Sequence, residues 1–236
     1  MFNLNEGLLA YLFPNGMHLI VPFACLFVVL CISYLLGSIN SAILISKVIY
    51  KDDIRTHGSG NGGMTNMLRT FGGKAALLTL AGDLLKTALA IFIAGFAFGF
   101  FYWGGISVQG YCYVAGLFAV LGHIFPIYYK FKGGKGVLVT STMALILTPL
   151  PFLILFALFA GVVALSKYVS LGSVCSAVLY PVILHGIFTV RGAQMPGLIS
   201  LSTIVLACII VWCHRGNLQR ISDRTERKLS FKKKNG

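Results

Sequence analysis

A stretch of glycines and small polar residues, HGSGNGGMTNMLR from His57 to Arg69, has residue types and a spacing that could bind an anion. Gly58, Gly60 and Gly63 match the G-x-G-x-x-G pattern, which binds dinucleotides only when a strand precedes it in a βαβ unit. Here the preceding apolar segment ends in ISKVIYKDDIR, which is typical of a membrane helix with lysines at the interface. The cofactor interpretation therefore fails. Glycines still allow backbone amides to converge on an anion, so the stretch is either a phosphate-binding loop or a flexible linker.

The residues that follow these glycines add two further features that favour phosphate. MTNMLR can start a short helix, with Thr65 near its N-terminus and Arg69 one turn later. The positive end of a helix dipole and a guanidinium both stabilise negative charge. We call residues 57–63 the first glycine loop.

A second segment, GHIFPIYYKFKGGKGV, combines glycines with lysines, and we call residues 130–136 the second glycine loop. It lacks the spacing of a Walker loop, and no strand precedes it. Membrane topology alone would explain the lysines but not the glycines between them. Ammonium groups and amides at a membrane exit can bind phosphate. The candidates are Lys130, Lys132, Gly133, Gly134, Lys135 and Gly136.

The third polar cluster is WCHRGNLQRISDRTERK, directly after the last apolar run. His214 and Asn217 are three residues apart, so they share one face of a helix, and Arg220 continues that face. A histidine at the hydrocarbon edge is either structural or a candidate acid–base group.

Asp83 and Lys86 form the one charged pair inside an apolar run, at the helical spacing i and i+3. Ionisable groups inside a membrane are costly and face the protein interior or a cavity. We expect the pair to neutralise itself and to support the site structurally. Gly37 and Ser38, in LLGSINSA, are small enough to form a close-packing notch between helices.

Composition identifies an integral membrane protein, since only 11% of the 236 residues are charged, 57% are hydrophobic and the mean hydropathy is +0.86. The apolar runs predict an all-α polytopic fold with seven transmembrane helices in one domain, residues 1–236. Pro149 and Pro151 exclude one continuous helix through the fourth and fifth spans, which are short enough to be re-entrant. The predicted spans are residues 19–49, 75–102, 111–129, 136–148, 152–166, 171–190 and 197–213.

The net charge of +13 is distributed unevenly between the loops, which predicts the orientation. Basic residues concentrate between spans one and two, three and four, and five and six, and in the tail at 222–236. Arg191 lies on the opposite side. The glycine loops, the active site and the C-terminus are therefore expected to face the cytoplasm, with the N-terminus outside. MFNLNEGLLAYLF has no basic n-region and is not expected to be a cleaved signal peptide.

Three separated motifs together resemble the bacterial acyl-phosphate-dependent glycerol-3-phosphate acyltransferases, the PlsY family. They are GSGNGGMTNMLR, GHIFPIYYKFKGGKGV and HRGNLQR, accompanied by LLGSINSA, DLLK and YVSLGS. Their order and spacing match over nearly the whole chain, and the second motif is long and specific.

The resemblance implies a seven-span enzyme of the bacterial cytoplasmic (inner) membrane that begins phospholipid synthesis. It would transfer an acyl group from acyl phosphate to glycerol-3-phosphate, giving 1-acyl-glycerol-3-phosphate (lysophosphatidic acid) and inorganic phosphate. Membrane lipids would be its surroundings. No nucleic acid, acyl carrier protein, coenzyme A, cofactor or metal is expected.

The resemblance also implies roles for residues at matching motif positions. Lys135, Arg69, His214 and Asn217 are expected to be catalytic, the last two by contacting glycerol phosphate near the reacting hydroxyl. Asp83 and Lys86 are expected to give structural support. The expected phosphate-binding residues are Ser59, Gly60, Asn61, Gly63, Thr65, Asn66, Lys132, Gly133, Gly134, Gly136 and Ser170.

The chain departs from the usual pattern at Met64, Thr87, Leu138 and Val139, where the family usually has alanine, glycine, alanine and threonine. Met64 is the departure that bears on function, because it crowds a loop that must approach phosphate closely. Methionine at this position is therefore expected to affect mainly the loop geometry and the substrate affinity.

Two other functions fit the residues alone. A carrier for an organic phosphate could use the same basic glycine loops, although it would need a polar path that the apolar spans do not offer. A non-catalytic scaffold could use the basic tail to bind anionic lipids. Within the enzyme hypothesis, either His214 or an oxygen of a substrate phosphate could accept the proton.

Overall fold

The computed structural model describes residues 20–100 and 107–229, and within these residues the secondary structure is helical, without strands. Two 3₁₀ turns, Ile54–Thr56 and Ile127–Tyr129, lie in the connections. The predicted N-terminal segment and residues 230–236 of the predicted basic tail lie outside the described residues. The α-helices are α1 Ile20–Ser38, α2 Ser41–Val48, α3 Met64–Phe71, α4 Gly73–Phe100, α5 Val108–Ile124, α6 Val137–Leu147, α7 Pro149–Ser166, α8 Val169–Val190 and α9 Gly197–Ser222.

Helix length and composition confirm a polytopic membrane protein. Within the described residues α4, α5, α7, α8 and α9 are long and apolar enough to span a membrane, and α1 with α2 makes a sixth candidate. Helix α6 has 11 residues and rises only about 16 Å, roughly half the hydrocarbon thickness. A seventh crossing therefore stays a prediction, as does the orientation.

The chain divides into two compact units, which we call unit 1 and unit 2. Unit 1 comprises residues 1–147 and 196–202, and unit 2 comprises residues 148–195 and 203–236. The boundary after Leu147 coincides with the proline pair: α6 ends there, Thr148 is the N-cap of α7, and Pro149 occupies its first turn. Proline fits the first turn because its missing N–H has no partner there anyway. The predicted interruption is confirmed.

Small residues bring α1 and α5 into backbone contact inside unit 1. A Cβ on Gly37 would overlap the carbonyl oxygen of Ala119, and one on Gly122 would overlap that of Tyr34 and lie 2.8 Å from the nitrogen of Ser38. Ser38 itself is fully buried. The close-packing notch predicted at Gly37 and Ser38 is therefore confirmed, and Gly122 forms its opposite wall.

The first predicted span is broken rather than continuous, with a 43° bend between α1 and α2. Asn40 caps α2, because its side-chain oxygen accepts a hydrogen bond of 3.0 Å from the amide of Ile43. At the end of α1, the carbonyls of Gly37 and Ile39 accept hydrogen bonds from the Lys86 ammonium at 3.1 and 3.0 Å. Backbone groups on both sides of the break thus form hydrogen bonds with buried side chains.

In unit 2, α7 and α8 pack together through small residues and polar contacts. Gly172 lies against Phe159, since a Cβ there would come within 3.0 Å of the phenylalanine ring. Ser176 donates a hydrogen bond of 3.2 Å to the carbonyl of Leu155. These contacts fix the start of α8, which carries Ser170.

Candidate functional site

The first glycine loop is held from within by the buried side chain of Asn66. Its amide nitrogen lies 3.1, 3.0 and 3.1 Å from the carbonyls of Ile54, His57 and Asn61, and its oxygen accepts from the amide of Ser59 at 3.1 Å. An amide side chain supplies both donors and an acceptor, so it can organise a loop of exposed backbone. Asn66 thus positions the loop, and its predicted contact with phosphate stays a prediction.

Glycine is required at two points of this loop. Gly58 and Gly60 have φ angles of +58° and +72°, in the left-handed region that favours glycine. A Cβ on Gly58 would also overlap the side-chain oxygen of Asn66. The loop conformation therefore depends on glycine at the same place where Asn66 anchors it.

Arg55 links the segment before the first glycine loop to the segment before the second. Its guanidinium binds the carboxylate of Asp53 at 3.0 and 2.7 Å and donates to the carbonyl of Tyr129 at 3.0 Å. The hydrogen bond from Arg55 holds the pKa of the Asp53 carboxyl well below its usual range, and the Asp53 carboxylate raises the pKa of Arg55. Both groups therefore stay charged at neutral pH.

The two loops also meet through their backbones. The amide of Gly62 donates to the carbonyl of Gly133 at 3.3 Å, and the carbonyl of Gly62 accepts from the Asn40 side chain at 3.1 Å. The helix break at Asn40 is thereby tied to both loops. Unit 1 brings the two predicted phosphate-binding segments side by side.

The glycines of the second loop serve close packing in the structure. The amides of Gly133 and Gly134 donate to the carbonyls of Ile124 and His123 at 3.2 and 3.1 Å. A Cβ on Gly133 would overlap the His123 carbonyl, and one on Gly134 would overlap the His123 ring. Gly136 has a φ angle of +78° at the entry to α6. Their predicted contacts with phosphate stay predictions.

Polar side chains of both loops and of the adjoining helix α3 remain accessible from solvent. Ser59, Arg69 and Lys132 are exposed, while Thr65 and Lys135 are half-buried. Of the remaining predicted loop residues, Gly60 is exposed, and Asn61 and Gly63 are half-buried. Gly63 is the N-cap of α3, so Thr65 lies in the first turn and Arg69 in the last. These side chains, more than the glycine amides, present hydroxyl and cationic groups to a ligand.

The predicted pair Asp83 and Lys86 forms a buried salt bridge of 2.8 Å with side-chain exposures of 1% and 5%. Ser41 donates to the same carboxylate oxygen at 2.9 Å, and His123 Nδ1 lies 3.0 Å from the Lys86 ammonium. The pair therefore belongs to a network that also caps the broken helix. A supporting role remains the interpretation that this geometry favours.

Unit 2 contains a second polar cluster, centred on the carboxylate of Glu226. Its Oε1 accepts from Ser170 at 2.9 Å and from Asn217 at 2.6 Å, and its Oε2 accepts from Arg220 Nε at 2.8 Å. Burial alone would raise the pKa of Glu226, but these three hydrogen bonds outweigh it and lower the pKa. Ser170, Asn217 and Arg220 thus form a set of donors that holds an anionic group.

His214 lies one turn before Asn217 on α9 and is buried. Its Nδ1 is 2.8 Å from the carbonyl of Ile210, which can only accept, so Nδ1 carries the proton. In a neutral ring Nε2 is then the unprotonated nitrogen. This tautomer is the one that a base acting through Nε2 requires.

Several residues of these clusters were missed by the sequence analysis: Asn40, Arg55, Gly62, His123 and Glu226. Asn40 and His123 lie inside recognised motifs, and a polar residue in an apolar run is a possible N-cap signal. Arg55 and Glu226 were missed because the contacts that connect them to other segments, with Tyr129 and Ser170, lie 74 and 56 residues away in the chain. Within residues 20–100 and 107–229, no group of three or more His, Cys, Asp or Glu side chains could hold a metal ion.

Fold and site together define a polytopic, helical membrane protein with two neighbouring basic glycine loops. The model of the glycerol-3-phosphate acyltransferase family matches residues 27–224, and the chain belongs to this family. A glycerol-3-phosphate acyltransferase of Geobacillus kaustophilus (strain HTA426) is 40% identical over 86% of this chain and 95% of its own length. One of Finegoldia magna is 39% identical over 84% of this chain and 93% of its own length.

Solved structures show the same architecture. The crystal structure of PlsY (YgiH), an integral membrane glycerol 3-phosphate acyltransferase, in its glycerol 3-phosphate form has a TM-score of 0.75 and 30% identity. The match covers 87% of this chain and 96% of that one. Its lysophosphatidic acid form has a TM-score of 0.72 at 29% identity, with 87% and 95% covered.

Proposed function

We propose that this protein transfers an acyl group from acyl phosphate to glycerol-3-phosphate, releasing 1-acyl-glycerol-3-phosphate (lysophosphatidic acid) and inorganic phosphate. Membership of the glycerol-3-phosphate acyltransferase family supports the acceptor and the reaction class. The observation that carries the proposal is the pairing of the two glycine loops through Gly62 and Gly133, at 3.3 Å. This pairing brings into contact the two segments that carry the cationic and hydroxyl side chains assigned below.

The reaction needs no covalent enzyme intermediate, because acyl phosphate is a mixed anhydride with an activated carbonyl. The 1-hydroxyl oxygen of glycerol-3-phosphate bonds to the acyl carbon, and the bond from that carbon to the phosphate oxygen breaks. The hydroxyl proton passes to a base, and inorganic phosphate leaves with the bonding electron pair. Catalysis then consists of holding two anions together and stabilising charge on the leaving phosphate.

The two loops supply the groups for this task. We assign the binding of phosphate groups to Ser59, Thr65 and Arg69 from the first segment, and to Lys132 and Lys135 from the second. Hydrogen bonds from charged donors to phosphate are about twice as strong as those between neutral groups. Two cationic segments also offset the mutual repulsion of two anionic substrates.

Unit 2 supplies further groups that we assign to glycerol phosphate, near its reacting hydroxyl. Asn217 and Ser170 donate to the carboxylate of Glu226, and this supports their assignment to an anionic oxygen of the substrate. We assign His214 to a contact near the reacting hydroxyl. Its Nε2 can accept the hydroxyl proton, and a substrate phosphate oxygen is the alternative base.

A mixed anhydride donor makes acyl carrier protein and coenzyme A unnecessary, and we propose that neither takes part. We also propose that the reaction takes place at the cytoplasmic face of a bacterial inner membrane, because the positive-inside rule favours basic loops on that side. The acyl tail would lie against apolar helices open to the bilayer.

The buried ion pair argues against a carrier for organic phosphates. The charged side chains deep in α4 are bonded to each other and to backbone carbonyls, with exposures of 5% or less. A solute crossing the bilayer needs accessible polar groups at that depth. Exposed polar side chains of unit 1 include instead Ser59 and Lys132 of the two loops.

Lys135→Ala, compared with Lys74→Ala, tests the assignment of the second loop. Lys74 is an exposed lysine at the start of α4 and serves as the matched control. Loss of one charge-stabilising donor should lower kcat/KM with palmitoyl phosphate and glycerol-3-phosphate on the order of 100-fold. Lys74→Ala should stay within about twofold. Equal losses in both variants would show that only the overall positive charge matters.

A further inference from the structure

The imidazole of His123 connects the buried ion pair to the second glycine loop. The side chain is 4% exposed and lies at the end of α5, just before that loop. Its Nδ1 is 3.0 Å from Lys86 Nζ and 3.7 Å from Asp83 Oδ1. Its other nitrogen, Nε2, lies against Gly134.

The contacts of Lys86 determine which ring nitrogen carries the hydrogen. The ammonium also donates to Asp83 at 2.8 Å and to the carbonyls of Gly37 and Ile39. The ammonium has three hydrogens for these four neighbours and no lone pair, so one hydrogen is shared, and a hydrogen on Nδ1 would point at a positive charge. Nδ1 of His123 is therefore the ring nitrogen without a hydrogen. The neutral ring is therefore held as the tautomer with its hydrogen on Nε2.

The protonated nitrogen lies where the two glycine loops meet. A Cβ on Gly134 would overlap Nε2 and would also lie 2.7 Å from the carbonyl oxygen of Gly62. The same Gly62 donates its amide to Gly133, and Gly134 donates its amide to the carbonyl of His123 at 3.1 Å. The ring thus packs directly on the second loop, beside the first loop, with no space between them for a substrate atom.

We propose that His123 is a positioning residue, which fixes both glycine loops on the Asp83–Lys86 pair so that they bind substrate phosphate. It acts through Gly134 and Gly62 and does not touch substrate. The inference rests on the proposed function, because it assumes that the loops bind glycerol-3-phosphate. Loss of the ring should therefore weaken the binding of that substrate more than it slows chemistry.

A double-mutant cycle of His123→Asn and Gly134→Ala tests the inference. Asparagine keeps an acceptor near the position of Nδ1 for Lys86 but lacks the group at Nε2. We expect the Kd for glycerol-3-phosphate, measured by titration calorimetry, to rise about tenfold in His123→Asn and about 100-fold in Gly134→Ala. In the double variant the overlap of the added methyl group with the ring is gone and only its 2.7 Å contact with the Gly62 carbonyl oxygen remains, so the rise should be below the roughly 1000-fold product of the two.

Two results would overturn the inference: an unchanged Kd in His123→Asn, or effects that multiply fully in the double variant. If His123→Asn does not fold, His123→Ala, which also lacks a group at the Nε2 position, takes its place in the same cycle. The cycle measures binding alone. Coupling in Kd in a protein that transfers no acyl group would therefore sustain the positioning role and refute only the proposed reaction.

Discussion

Replacing Lys86 by methionine should destabilise unit 1 strongly, because one substitution removes the partners of three buried groups. Asp83 would lose its counterion at 2.8 Å, and the carbonyls of Gly37 and Ile39 would lose the donor that caps the broken helix. Methionine has a similar length and can fill most of the space. The effect therefore reports lost polar contacts rather than a cavity.

The expected cost follows from those contacts. Removing one partner of a buried ion pair costs about 3–5 kcal/mol, and leaving buried carbonyls without donors adds about 1–3 kcal/mol. We expect a loss of about 4–8 kcal/mol in the free energy of unfolding. Adding Asp83→Asn should recover about 2–4 kcal/mol of it, because the charge is then gone but the carbonyls stay unpaired.

Unfolding by sodium dodecyl sulfate in mixed micelles, followed by far-ultraviolet circular dichroism, measures these differences. Lys74→Met, an exposed lysine on the same helix, is the control and should change stability by less than about 0.5 kcal/mol. A loss below about 1 kcal/mol in Lys86→Met would refute the reasoning, since the network would then contribute little. Failure of Asp83→Asn to recover any stability would show that charge is not the dominant cost.

Three further substitutions test separate parts of the structure. Asn66→Asp replaces the amide nitrogen that donates to carbonyl oxygens with an oxygen that can only accept, so amide hydrogen exchange in residues 57–63 should accelerate. Unchanged exchange would show that the Asn66 side chain does not organise the loop. Gly37→Ala, whose methyl meets a backbone carbonyl, should lower the free energy of unfolding by about 1–3 kcal/mol, whereas Gly73→Ala, which has open space, should not; equal effects would remove the close-packing explanation. Glu226→Gln should cost stability at neutral pH. Folding lowers the pKa of Glu226 below its ordinary 4.5, so the difference in free energy of unfolding between wild type and Glu226→Gln should shrink as pH falls below that value. A difference that grows at low pH would contradict the stabilising role of the ionised carboxylate.

Much of the fold could be predicted from the sequence, because a membrane makes local hydrophobicity decisive. Apolar runs located the helices, and Pro149 marked the interruption between α6 and α7. The bend at Asn40 was missed because LLGSINSA is apolar enough to continue a helix. Its stability depends on Lys86, which is 46 residues away in the chain and lies on another helix.

The sequence predicted the types of residue that form the candidate site, but few of the contacts between them. The basic glycine loops indicated a phosphate-binding site from local chemistry alone, because cationic side chains and glycines commonly bind phosphate. What the loops pack against is not a local property. Arg55 reaches a carbonyl 74 residues away, and Glu226 binds Ser170 across 56 residues. Contacts between residues so far apart in the chain follow no fixed sequence spacing, so they could not be predicted from the sequence.

Acyl transfer from palmitoyl phosphate to glycerol-3-phosphate by the purified protein in lipidic mesophase is the most direct test of the central claim. Inorganic phosphate release and product mass are followed together, in the wild type and in His214→Ala. We expect release only when both substrates are present, with lysophosphatidic acid formed in equal amount; residual activity in His214→Ala would identify substrate phosphate as the base. Product formed from palmitoyl coenzyme A but not from palmitoyl phosphate, or glycerol-3-phosphate transported without reaction, would contradict the account.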